Sequence, residues 1–82
     1  MDRLQELITR AEAKLGALIL NAEIDGLRAT GEFLYDGCSC HYGAAINNDQ
    51  TRGILMLHEG GTYLPLVVMR FERNNVIIDT IN

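Results

Sequence analysis

Five short polar breaks limit what this chain can fold into. They are Asp25-Gly26, Asp36-Gly37, Asn47-Asn48-Asp49, Glu59-Gly60-Gly61 and Arg73-Asn74-Asn75. Gly, Asn and Asp tolerate the backbone angles that reverse a chain, and the runs between the breaks are rich in Leu, Val, Ile, Tyr and Phe. Gaps this short join neighbouring antiparallel strands. The spacing predicts strands at about 27–35, 38–46, 53–58, 62–71 and 75–81. Before the first break the period is different. Leu4, Leu7, Ile8, Ala11 and Leu15 recur at three- and four-residue steps, with Arg3, Glu6, Arg10 and Lys14 between them. That is an amphipathic helix, and Asp2 suits its N-terminus. The helix is placed at about 2–20, although "ALILNAEI" also reads as a strand ending at Asp25-Gly26. The expected fold is α+β, an N-terminal amphipathic helix packed on a curled five-stranded antiparallel β-meander, in one domain over 1–82.

Composition narrows the function classes. A chain of 82 residues has room for one core. Its net charge of −4 lacks the basic footprint of a nucleic-acid binder. No apolar run is long enough to span a bilayer, and the first residues lack the pattern of a secretory signal. The two cysteines are therefore expected as free thiols in a cytoplasmic protein.

The stretch "DGCSCHYGAAI" gathers most of the reactive residue types. A two-residue turn at Asp36-Gly37 fixes the register: Tyr35 with Cys38, Phe33 with Cys40, Gly31 with Tyr42, Ala29 with Ala44 and Leu27 with Ile46. The alternate set is Leu34 with Ser39, Glu32 with His41, Thr30 with Gly43 and Arg28 with Ala45. Cys38, Cys40 and Tyr42 then face the core, with the Tyr42 ring over Gly31, while Ser39 and His41 face Glu32 outside. A tetrahedral metal site needs ligands converging on one point, and this register separates the thiols from the imidazole. No metal or cofactor is expected. Ser39, His41 and Glu32 nominally supply nucleophile, base and orienting carboxylate for a small hydrolase. Such a face offers no cleft or oxyanion donors, so a plain Glu32–His41 cross-strand pair is the simpler account.

Two further features bear on partners. Leu64, Leu66 and Val68 alternate with Val67, Met69 and Phe71, so both faces of that strand are apolar and one helix can cover only one of them. A homo-oligomer follows as an expectation. Asp36 and Glu59 fall at the same end of a meander and could form an acidic rim, while Arg70 and Arg73 bracket Phe71 near the last turn.

"DGLRATGEFLYD" resembles the first motif of the Sm and Sm-like RNA-binding proteins, and "VVMRFERNNVIIDTI" is similar to their second. The chain differs from that pattern in having Gly37-Cys38 after Asp36 and Phe71 after Arg70. The resemblance implies a ring oligomer binding RNA through the turns near Asp36 and Arg70. The reading that size, charge and side-chain chemistry favour is different. It is a small acidic, non-enzymatic binding module, an oligomeric accessory protein of bacterial or phage type. Glu32, His41, Asp36, Glu59 and Arg70 are its candidate contact residues. Its partner is a protein or small ligand, and an inhibitor or immunity-like subtype would dock on a basic protein surface.

Overall fold

A computed structural model describes residues 2–73 and 75–81. One helix, α1 (Arg3–Leu15), precedes six strands: β1 (Leu18–Asp25), β2 (Arg28–Tyr35), β3 (Cys38–Ile46), β4 (Arg52–Glu59), β5 (Thr62–Glu72) and β6 (Asn75–Thr80). They form one antiparallel sheet in the order β1-β2-β3-β4-β5-β6. The α+β class stands, with one strand more than the sequence predicts. Asn74, part of the last predicted turn, lies outside the described residues.

The extra strand comes from ending the helix early. Asp2 caps its N-terminus, accepting a hydrogen bond from the Gln5 amide at 2.8 Å. Gly16 closes the other end in the left-handed region, with φ 67°. The Ile19 amide then donates to Glu12 Oε2 at 2.7 Å, where a continuing helix would need a backbone carbonyl. Residues 18–25 are thus β1, and the helix predicted to about 20 stops at Leu15.

The hairpin register read from Asp36-Gly37 holds across β2 and β3, from Arg28 opposite Ala45 to Tyr35 opposite Cys38. Asp36 and Gly37 both have positive φ, 54° and 78°, as the tight mirror-image turn requires.

One face of the sheet carries the core. Leu4, Leu7, Ile8 and Ala11 of α1 are buried against Ala29, Phe33, Tyr42, Ala44, Leu55, Val67 and Met69. The seat of the helix is made of small residues. A side chain at Gly53 would come within 3.0 Å of Leu7 Cδ2, so the glycine lets α1 approach β4. Arg3 caps this packing, its guanidinium 4.4 Å from the centre of the Phe71 ring.

Two bulges reset the faces, and each corrects an expectation. In β5 the register slips beside Leu55, leaving Leu66 without a partner on β4. Leu66 and Val67 are both buried as a result. The bulge moves Leu66 in with Val67, while Tyr63, Pro65 and Val68 keep the face away from α1. In β1 the register slips at Leu20, and the Asn21 backbone folds over Gly31. Asn21, and not the Tyr42 ring, covers that glycine. Tyr42 instead donates its hydroxyl to the Asn21 carbonyl at 3.1 Å. The Asn21 side chain completes the bulge: Oδ1 accepts from the Glu32 amide and Nδ2 donates to Glu32 Oε1, each at 3.0 Å.

The thiols need a further correction. Cys40 is half-buried against the core, but Cys38 is exposed, because it follows the turn at the very end of the sheet. Among the described residues, no helix is long and apolar enough to cross a membrane.

Candidate functional site

Glu32, His41, His58 and Tyr63 stand opposite one another on β2, β3, β4 and β5, on the face away from α1. Sequence reasoning found the first pair through the Asp36-Gly37 turn. His58 and Tyr63 join it through the Gly60-Gly61 turn, which fixes Glu59 opposite Thr62. The His58 and Tyr63 rings stack with centroids 4.4 Å apart, and Tyr63 reaches on to lie over Gly43. A shallow cleft of about 210 Å³ adjoins Asn21, Glu32, His41 and His58. Within it the Glu32 carboxylate is engaged by Asn21. Among the described residues no hydrogen bond joins Ser39, His41 and Glu32, and no three His, Cys, Asp or Glu side chains converge as metal ligands. Ser39 is exposed opposite Leu34.

The other predicted contact residues divide between the two ends of the sheet. Asp36 and Glu59 share one end, as the meander requires, and both are exposed. Arg70 sits towards the opposite end, facing Arg52 across the strands, with its guanidinium 3.8 Å from Glu72. Asp36 and Arg70 therefore do not meet in one site within a chain.

Two titrating groups are tuned by their surroundings. Burial, then the charge of Glu12, pushes the Tyr42 phenol above its usual 10.0. Burial, then Cys38 and Glu59, raises the Cys40 thiol above 9.0. Both shifts favour the neutral form, the reverse of what an activated nucleophile needs.

Two features were hidden from sequence reasoning. The first is the open edge of the sheet. Seven of the eight β1 residues are exposed, and Leu18, Leu20 and Ile24 keep 55%, 48% and 51% of their surface in solvent. Exposed Leu34 lies directly beside Leu18. The second is a cleft of about 570 Å³ on the face away from α1, flanked by Arg28 and Arg52 and floored by Ala45, Ile54 and Val68. Its residues come from four strands and from the turns at 26–27 and 47–51, so no local motif could reveal it. In comparisons with known proteins, no family model, no curated protein and no solved structure matches the chain.

Proposed function

We propose that this chain is a non-enzymatic interaction module that assembles as a homodimer by pairing β1 with β1 of a second copy. The observation that carries the reading is the concentration of exposed apolar side chains on a sheet edge. Sheet edges left long and apolar invite strand addition, and monomers usually blunt them with lysine or proline. The β1 strand, "LILNAEID", has neither, and its two charges are the acidic Glu23 and Asp25.

The strand is also complementary to itself. The pair flanking a two-residue hairpin turn exchanges both backbone hydrogen bonds, so Asp25 and Glu23 direct theirs to β2. Ile24 and Ala22 then direct theirs to the open edge. An antiparallel copy centred on Ala22 sets Leu20 against Ile24 and Asn21 against Glu23, once on each side of the two-fold axis. Apolar meets apolar, and amide meets carboxylate. Raised thiol and phenol pKa values and an occupied Glu32 carboxylate support the non-enzymatic side of the reading.

Light scattering on the purified chain tests it. The expected mass is that of two copies, and Ile24→Lys, which sets a charge against the apolar Leu20, should give one copy with an unchanged circular dichroism spectrum. A monomeric wild type refutes self-assembly, and a dimeric Ile24→Lys variant refutes the edge as its site.

A further inference from the structure

We propose that the cleft between Arg28 and Arg52 binds a small organic anion with an aliphatic body, such as a medium-chain carboxylate. The cleft lies within one chain, so the inference stands whether or not two copies pair.

The geometry has an arginine on either side and an aliphatic floor. Arg28, Ala45, Ile54 and Val68 are register neighbours on β2, β3, β4 and β5, forming one continuous row across the face away from the helix. Arg52 stands on the far wall, beside the 47–51 turn. Among the described residues no Asp or Glu lines the cleft, although the chain as a whole carries −4; Asp49 sits in the adjoining turn, where its Oδ1 accepts from the Thr51 hydroxyl at 2.8 Å. Asp79 continues the row beyond Val68 but lies outside the lining. Arg70, opposite Arg52, is paired with Glu72 and lies outside the lining, so Arg28 and Arg52 are the cations the cleft presents. Guanidinium groups take carboxylates in paired, charge-assisted hydrogen bonds.

The wall that presents Arg52 is hydrogen-bonded within itself. Asn47 Oδ1 accepts the amides of both Thr51 and Arg52 at 2.9 Å, and its Nδ2 donates to Thr51 Oγ1 at 2.9 Å. The Asn47 amide donates to the Arg52 carbonyl at 3.0 Å. A pre-formed wall lowers the ordering cost of binding.

Size and surface select the class of ligand. The cleft is open to solvent and larger than a bare inorganic anion fills. The floor carries methyl and methylene groups and no aromatic ring, so nothing there stacks a nucleobase. The net negative charge also disfavours a polyanion by long-range repulsion, which a single carboxylate largely escapes.

Titration with sodium octanoate, followed by backbone amide shifts and calorimetry, tests the assignment. Shifts should centre on residues 45–54, with saturation in the roughly millimolar range or tighter, and Arg28→Gln/Arg52→Gln should weaken binding by about tenfold or more. Arg10→Gln, on the helix and away from the cleft, should leave it unchanged. Acetate and 1-octanol should each bind at least about tenfold more weakly, since each offers half of the chemistry. No shifts at these residues, or equal binding by the double variant with its fold intact, overturns the site. Equal binding by acetate overturns the aliphatic part of the assignment, and equal binding by octanol overturns the ionic part.

Discussion

Gly31→Ala is the most demanding test of how β1 is attached. A Cβ at residue 31 collides with the Asn21 backbone carbonyl, and a backbone atom cannot step aside as a side-chain tip can. Overpacking of this kind costs about 1–3 kcal/mol. Moving Asn21 also disturbs three hydrogen bonds, from the Tyr42 hydroxyl, from the Glu32 amide and to Glu32 Oε1. Each is worth about 1 kcal/mol net, and less where water can replace it. Against this, replacing glycine reduces the freedom of the unfolded chain and returns roughly 0.4–1 kcal/mol. The balance is a loss of about 2–4 kcal/mol. For a chain this short that lowers the melting temperature by roughly 10–25 °C. Gly43→Ala is the matched control. Its Cβ meets only the Tyr63 ring, at 3.4 Å, an ordinary contact, so the melting temperature should stay within about 5 °C of wild type. Thermal unfolding followed by circular dichroism reads both. Equal shifts for the two variants, or a Gly31→Ala protein as stable as wild type, would show that β1 is not held by this bulge.

Two further outcomes follow from the core. Leu7 is fully buried against Gly53, so Leu7→Ala should cost about 2–5 kcal/mol in urea unfolding; a loss below 1 kcal/mol would mean that α1 is not seated on β4. Tyr42 and Cys40 both hold their protons more tightly when folded than when unfolded. Their contribution is therefore fully present below the unfolded values, 10.0 for Tyr42 and 9.0 for Cys40, and is lost as pH rises from those values through the higher folded ones. Urea midpoints should fall between pH 8 and pH 11, less steeply in Tyr42→Phe, and a flat profile would contradict the burial of the phenol.

How far the sequence discloses this molecule depends on how local each determinant is. The Asp36-Gly37 turn sets φ at two adjacent residues, and the pairing of β2 with β3 follows without reference to anything distant. The end of α1 is less legible, because the apolar run after Gly16 suits a helix and a strand equally. What decides between them is a tertiary contact, the Glu12 carboxylate on the Ile19 amide. The bulges at Leu20 and Leu66 are less legible again. Each exists because side chains from other strands must fit, and each moves apolar residues between faces that simple alternation assigns wrongly. Of the predicted contact residues, Glu32 and His41 are brought together as read, whereas Arg70 faces Arg52, a neighbour visible only once β4 and β5 are paired. Arg28 and Arg52 reach one cleft only because β3 lies between their strands.

The sheet's two margins are chemically unequal. β6 is six residues long and carries exposed Asp79 near its end. Ile81 follows it, donating its amide to the Leu66 carbonyl, and the start of β5 also lies on that margin, where Pro65 has no amide hydrogen to offer. Under the pairing proposed above, β1 is used up in the first contact, so any further growth falls to the β5–β6 margin, where Pro65 interrupts the backbone donors and Tyr63, Leu64 and Ile81 keep apolar surface in solvent.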